Sequence, residues 1–103
     1  MILPDDWVRH PIYNNGEEVG CVWIKDAEIH CYRDESCAGR WIKAGDLQRL
    51  TGPLFKQYGH MITKVRKINL QGQAFVKRLG FTPTGQDDTN IHYRCERLKH
   101  ARY

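Results

Sequence analysis

One stretch, residues 61–81, constrains the fold of this chain more than any other part of the sequence. Met61–Arg66 is rich in β-branched residues, which indicates a strand. A helix should open at Asn69, whose side chain can cap free amides, and close at Gly80, which readily adopts a left-handed conformation. The predicted helix has an apolar stripe formed by Leu70, Phe75, Val76 and Leu79. This stretch therefore predicts a strand followed by a helix that packs one side against a core.

Three strands are predicted before this unit, joined by short turns. The sequence Asn14-Asn15-Gly16 is a strong hairpin signal, because these residues tolerate positive φ. Alternation in the third strand sets Ile29 and Cys31 on one face, opposite polar and aromatic side chains. The predicted strands are Trp7–Tyr13, Val19–Lys25 and Glu28–Arg33, and the polar face of the third carries Glu28, His30 and Tyr32.

A longer helical pattern follows the third strand. Pro53 falls inside this pattern and predicts a kink or two separate helices, because proline removes a backbone donor and clashes with the preceding turn. Short strands are expected at Phe81–Thr84 and Asn90–Arg97, with a turn at 85–88 between them. The apolar residues at helical spacing are Trp41, Leu47, Leu50, Leu54 and Tyr58.

The predicted order of elements is β-β-β-α-β-α-β-β, and it indicates a single domain at 1–103. The fold class is α/β (α+β), with a mixed central sheet and helices packed on the sheet. A strand, a crossover helix and a parallel strand are expected to connect in the right-handed sense.

Charge and hydropathy limit the classes of partner. The chain has 16 Lys and Arg against 12 Asp and Glu, a net charge of +4. No apolar run approaches the roughly 20 residues of a membrane span, and the N-terminus lacks a signal-peptide pattern, so we expect a cytoplasmic protein with no membrane partner. The cations gather late in the chain, where they attract phosphate or form a solvated face. Because no nucleic-acid-binding motif accompanies them, we do not expect nucleic acid as the partner.

The four cysteines do not include a CxxC pair. Reduced thiols are expected in a chain without an export signal. A zinc site built from Cys31, Cys37, His92 and Cys95 is an alternative, but this spacing matches no common zinc signature. We therefore expect no metal.

The succession of strand, Asn69, helix, Leu79-Gly80-Phe81 and strand resembles the C-terminal half of the GNAT superfamily of N-acetyltransferases. The resemblance covers roughly residues 19–97, and the order of elements matches except at an abbreviated N-terminus. In that family the strand and helix form one wall of the acyl-CoA cleft, so the resemblance implies a GNAT-like fold and acetyl-CoA as cofactor. The loop ending Gly39-Arg40-Trp41 resembles small phage-encoded members, which implies the host cytoplasm as location.

The resemblance also implies where the cofactor binds. The family's phosphate loop reads Gln/Arg-x-x-Gly-x-Gly/Ala; here Gly39 fits, Ser36 replaces the first residue and Trp41 replaces the last. Arg40 offers a guanidinium to phosphate in compensation. Asn69 and Phe75 align with the asparagine and phenylalanine of the family's helix. The implied cofactor-binding residues are Ser36, Cys37, Ala38, Gly39, Arg40, Asn69 and Phe75.

Catalytic residues follow from the same resemblance. Family members often carry a tyrosine after the helix phenylalanine as the acid for the thiolate, but Val76 stands there in this chain. Tyr93 or Tyr58 is the substitute, unless both are core or rim aromatics. Glu28 and His30 share one strand face, and the resemblance implies that they draw a proton from the acceptor amine. Imidazole titrates near neutral pH, which suits this role; the alternative is a polar pair on a half-exposed sheet.

Two functions remain open on this evidence. The first is a GNAT-type N-acyltransferase that moves an acetyl group from acetyl-CoA to an amine of a protein or small molecule. The second is a non-catalytic GNAT-fold phage protein that binds a host or virion protein, with Trp7, Trp23 and Trp41 as candidate interface residues. A homodimer through the exposed last strand is compatible with both.

Overall fold

Six strands and two helices make up the part of the chain that the computed structural model describes, residues 6–34 and 41–98. Their order is β-β-β-α-β-α-β-β, which confirms the predicted order and the α+β fold class. The elements are β1 (Val8–Asn14), β2 (Glu17–Lys25), β3 (Glu28–Arg33), α1 (Ala44–Tyr58), β4 (Met61–Arg66), α2 (Leu70–Leu79), β5 (Thr82–Gln86) and β6 (Asn90–Cys95). In the described chain, neither helix is long and apolar enough to cross a membrane.

The strands form one mixed sheet in the order β1-β2-β3-β4-β6-β5. The first three strands are an antiparallel meander, and β4, β6 and β5 are also antiparallel neighbours. The two halves meet where β3 lies parallel to β4. The sheet therefore has a single parallel junction at its centre, and α1 makes the crossover between the two parallel strands.

Residues with positive φ form the predicted turns between the first three strands. Asn15 and Gly16 have φ of 53° and 83°, which confirms the hairpin between β1 and β2. Asp26, with φ of 52°, turns the chain between β2 and β3. The order of three strands joined by short turns is confirmed.

The first helix runs without a break through Pro53, so the expectation of two helices is wrong. The hydroxyl of Thr51 donates to the Leu47 carbonyl at 2.6 Å, and Thr51 packs in the interior together with Leu50 and Leu54. Tertiary packing of this apolar side outweighs the one backbone donor that proline removes. Trp41 lies ahead of the helix and not within it.

The second helix has the predicted boundaries. Asn69 caps it, because its side-chain oxygen accepts a hydrogen bond from the Gly72 amide at 2.9 Å. Gly80 ends it with φ of 113°, and the amide of buried Phe81 donates to the Val76 carbonyl at 3.0 Å. Both caps are confirmed.

The last hairpin is shifted from its predicted position. β5 begins at Thr82 because the Phe81 amide belongs to the helix cap, and β5 continues past Gly85 through a bulge. The turn lies at 87–89, where the Asp87 carboxylate accepts from the amides of Thr89 at 2.9 Å and Asn90 at 2.8 Å. These side-chain bonds explain a turn two residues later than expected.

Both helices pack on the same face of the sheet. The crossovers from β3 to β4 and from β4 to β5 run in the same direction along the sheet, and right-handed connections then place both helices on one side. The packing agrees, because Leu50, Leu54 and Val76 of the helices share one core cluster with every second strand residue. Those strand residues are Ile12, Val22, Ile29, Met61, Tyr93 and Cys95. We call this side the helix-covered face and the opposite side the open face, which carries Trp23, Glu28, His30, Ile62 and Lys64.

Candidate functional site

The parallel strands β3 and β4 part soon after they begin, and the gap between them is the centre of the candidate site. Among the described residues, only Glu28 and Ile62 form a ladder pair between these strands, and the Ile62 amide donates to the Ala27 carbonyl at 2.9 Å. Beyond this point β3 stays paired with β2 as far as Arg33, and β4 with β6 as far as Arg66. The carboxyl ends of these two parallel strands are therefore unpaired with each other, and such strand ends are a common place for ligands.

Two hydroxyl groups lie where the strands begin to part. Thr63 is buried and donates its hydroxyl to the Ile29 carbonyl at 2.5 Å, which ties β4 to β3 at the start of the gap. Tyr93 of β6 pairs directly with Thr63 and is 1% exposed. Its hydroxyl has no hydrogen-bond partner within the described ranges. A buried hydroxyl left unpaired costs about 1–3 kcal/mol, so the Tyr93 hydroxyl lowers the stability of the fold.

An aromatic pair spans the helix-covered side of the gap. The rings of Trp41 and Phe75 have centroids 6.1 Å apart and planes inclined by 30°. Trp41 packs on Gly20 of β2 so closely that an added Cβ would lie 2.6 Å from its ring. Gly20 pairs with Arg33 at the end of β3, whereas Phe75 belongs to the helix after β4. The pair therefore bridges the two sides of the gap with apolar surface, and Phe75, a predicted cofactor residue, lies at that bridge.

Asn69, the other predicted cofactor residue in the described chain, lies at the start of α2 after β4. Its side-chain oxygen is used in the helix cap, and the site is exposed. The cap accounts for asparagine at this position, and its contact with a cofactor stays a prediction.

The predicted base residues form a close pair on the open face of β3. Glu28 Oε2 lies 2.6 Å from His30 Nε2, and their side chains are only 25% and 17% exposed. The ring of Trp7 lies against His30, with centroids 5.2 Å apart, and Trp23 is the direct cross-strand neighbour of His30. The carboxylate fixes one imidazole nitrogen while the aromatic rings restrict the ring's movement. Such a dyad can accept a proton from an amine.

The dyad and the Tyr93 hydroxyl belong to opposite faces at the same level of the sheet. Glu28 is level with Ile62 and Tyr93 with Thr63, one residue further along β4. Because side chains alternate between faces, Glu28 points to the open face and Tyr93 to the helix-covered face. The sheet therefore carries a proton acceptor on its open face and a phenol on its helix-covered face, within one residue of the same level.

Tyr58, the other tyrosine that could serve as the acid, lies near the surface and has a hydrogen-bond partner. Tyr58 is the last residue of α1, and its hydroxyl lies 3.5 Å from an Asp26 oxygen near the surface. Of the two, Tyr93 has the unpaired hydroxyl and is level with Thr63, which ties β4 to β3 at the start of the gap, so we retain it as the candidate acid.

The predicted phosphate loop lies outside the described residues. This applies to Ser36, Cys37, Ala38, Gly39 and Arg40, whose contact with phosphate stays a prediction. The helix that follows is described, and its N-cap residue Lys43 provides no side-chain cap. The first amides of α1 are therefore not satisfied by Lys43, although Asp46 places a negative charge in the same turn.

Two of the cysteines, Cys31 and Cys95, lie in surroundings that keep their thiols unreactive. Burial raises the pKa of the Cys31 thiol to about 12 and also raises the pKa of Cys95, so both thiols stay protonated at neutral pH. His92 and Cys95 point to opposite faces of β6, which separates two members of the zinc alternative. Residues 6–34 and 41–98 contain no group of three or more metal-ligating side chains, and Cys37 is outside them.

Two features of the site did not follow from sequence reasoning. Thr63 was part of a predicted strand, but nothing local showed that its hydroxyl would tie β4 to β3. Trp7, just ahead of β1, contacts His30 of β3 across an intervening strand, and only the sheet order reveals this contact.

Comparison with known proteins identifies the fold. No family model matches the chain, and no curated protein matches it either. Among solved structures, the chain is similar to the crystal structure of PaiA N-acetyltransferase from Thermoplasma acidophilum in complex with coenzyme A, with a TM-score of 0.64 and 16% identity. The match covers 81% of this chain and 56% of that one, so the chain spans a little over half the length of its structural neighbour. This likeness shows that the fold is GNAT-like, as predicted.

Proposed function

We propose that this chain is a GNAT-type N-acetyltransferase that moves an acetyl group from acetyl-CoA to an amine of a protein or small molecule. The observation that carries the proposal is the gap between β3 and β4, with the Glu28–His30 pair on the open face of β3 and the unpaired Tyr93 hydroxyl on the helix-covered side of the sheet, level with Thr63. The structural neighbour is a complex with coenzyme A, which supports an acyl-CoA as the ligand of the gap.

The described residues fit an acyl-CoA in three respects. Peptide groups of β3 and β4 that face each other across the gap lack ladder partners there, and an extended amide-bearing chain can pair with them. Trp41 and Phe75 supply an apolar wall on the helix-covered side. The N-terminus of α1 follows the predicted phosphate loop, and helix N-termini favour phosphate because their free amides and dipole point at the anion.

The side chains divide the proton transfers between the two faces. His30, held by Glu28, accepts the proton that the acceptor amine loses as its nitrogen bonds to the acetyl carbon. The carbon–sulfur bond of the thioester breaks, and Tyr93 donates its hydroxyl proton to the departing sulfur. The phenolate and the imidazolium then return to their starting states by exchange with water. A donor held ready in a dry site is worth more than one in water, which gives the unpaired hydroxyl a catalytic role.

The test is a comparison of two histidine variants. The rate of acetylation of a panel of peptides and small amines is followed by mass spectrometry for His30→Gln and for His60→Gln. His60 is the matched control, because its ring contacts the Tyr58 carbonyl at 3.0 Å, away from the gap. We expect His30→Gln to lower the rate by roughly 100-fold or more with an unchanged Kd for acetyl-CoA. Equal rates for both variants, or no acetylation of any amine by the parent protein, would contradict the proposal.

A further inference from the structure

The open face of β4 and β6 carries three cationic side chains and one histidine side by side. Lys64 pairs directly with His92, and Arg94 pairs with Ile62 on the same face. Strand alternation directs them to the side of the sheet on which no described helix packs, and three of them are exposed. We call Lys64, Arg66, His92 and Arg94 the cationic strip.

Two members of the strip lack an anionic partner. His92 lies 2.9 Å from Asp87 and Arg94 lies 3.4 Å from Glu96. In the described part of the chain, Lys64 and Arg66 lie within ion-pair distance of no carboxylate. Like charges side by side on a sheet repel one another, so this arrangement reduces stability until an anion offsets it.

The cationic strip begins beside the proposed catalytic pair. Ile62 is level with Glu28, and Lys64 and Arg66 follow it on the same face of β4. Same-face residues of a strand are about 6.8 Å apart, so these two cations lie about 7 Å and about 14 Å along β4 from the level of Glu28. An acceptor peptide lying along β4 would therefore contact Glu28 and His30 at one end, and Lys64 and Arg66 further along the strand.

We propose that the cationic strip docks an extended acidic segment of a protein acceptor, whose lysine amine then reaches Glu28 and His30. This inference rests on the acetyl transfer proposed above. Alternate side chains of an extended peptide are also about 6.8 Å apart, so acidic residues two and four positions from the lysine match Lys64 and Arg66 in spacing and in charge. Glu28 repels those acidic residues but attracts the lysine ammonium. The peptide is therefore expected to bind with its lysine at Glu28 and its acidic residues at Lys64 and Arg66.

A nucleic acid strand fits this surface less well. Binding of single strands relies on aromatic side chains on which bases stack. In the described chain, the open faces of β4 and β6 carry no Trp, Tyr or Phe, because Tyr93 points to the helix-covered face.

The test uses peptides of known charge and spacing. One fluorescent peptide has the sequence K-A-D-A-D, a second replaces both aspartates by asparagine, and a third places the aspartates next to each other. Binding is measured by fluorescence anisotropy, without acetyl-CoA, for the parent protein and for Lys64→Gln/Arg66→Gln. The control is Lys77→Gln/Arg78→Gln, which removes the same charge from exposed positions on α2, across the sheet.

The proposal predicts tighter binding of K-A-D-A-D than of the other two peptides. The Lys64→Gln/Arg66→Gln variant should weaken that binding roughly three- to tenfold, as expected for two exposed ion pairs, and added salt should weaken it further. The control variant should change it less than twofold. Equal affinity for the asparagine peptide, or equal loss in the control variant, would overturn the proposal. So would a single-stranded oligonucleotide that binds more tightly and depends on the same two cations.

Acetylation of the same peptides separates this inference from the proposed function. If K-A-D-A-D binds through Lys64 and Arg66 but is never acetylated, the acetyl transfer is refuted and the docking surface remains. If all three peptides are acetylated with the same KM, the docking surface is refuted and the acetyl transfer remains.

Discussion

Replacing Tyr93 by phenylalanine should make this protein more stable and less active. Tyr93 is 1% exposed and its hydroxyl has no partner in the described chain. Keeping such a group from water costs about 1–3 kcal/mol, whereas phenylalanine keeps the ring and leaves only the space of one oxygen. We therefore expect the free energy of unfolding to rise by about 1–2 kcal/mol in Tyr93→Phe.

Urea and thermal unfolding measure this change. For a domain of this size, each kcal/mol shifts Tm by about 4–8 °C, so Tm should rise by at least about 4 °C. Tyr58→Phe is the matched control, because it removes an exposed hydroxyl 3.5 Å from Asp26. That variant should change stability by less than about 0.5 kcal/mol.

Activity provides the second half of the test. Loss of the proposed proton donor should lower the rate of acetyl transfer by roughly 100-fold, with little change in the Kd for acetyl-CoA. A less stable Tyr93→Phe would show that the hydroxyl is hydrogen-bonded in the fold and would refute the reasoning. A more stable variant with full activity would mean that Tyr93 is a core residue without a catalytic role.

Three further substitutions test other contacts. Gly20→Ala should lower stability by about 1–3 kcal/mol, because the added methyl group would clash with the backbone carbonyl of Tyr32 and lie 2.6 Å from the Trp41 ring; an unchanged urea midpoint would contradict this packing. Asn69→Ala should cost about 1 kcal/mol in thermal unfolding through loss of the helix cap, and an unchanged Tm would show that the cap contributes nothing. The backbone amide of Thr89 and neighbouring donors hold the pKa of Asp87 below its usual range, so its stabilisation is full above about pH 4 and is lost as the pH falls below that value. Asp87→Asn should therefore remove this part of the acid dependence of stability, and identical pH profiles for variant and parent would contradict it.

The sequence predicts those parts of the fold that depend on local chemistry. The cap at Asn69, the left-handed end at Gly80 and the turn at Asn15 each follow from what a side chain does within its own few residues. At Pro53 the expectation of two helices is wrong, because packing of Thr51 and its neighbours outweighed the local preference for a break.

The candidate site depends on contacts that local reasoning cannot reach. Glu28 and His30 were predicted to share a face, and strand alternation alone makes this inference secure. The parting of β3 from β4 and the unpaired hydroxyl of Tyr93 arise from the order and register of the whole sheet. Residues 35–40 also lie outside the described chain, so the phosphate loop rests on resemblance alone.

Calorimetric titration of the purified protein with acetyl-CoA tests the central claim that the gap between β3 and β4 holds an acyl-CoA. We predict binding of one acetyl-CoA per chain with a micromolar Kd, and free CoA should compete for the same site. Ligand at 100 times its Kd should also stabilise the fold by about 2.7 kcal/mol. Absence of both heat and thermal stabilisation at millimolar acetyl-CoA would contradict the account.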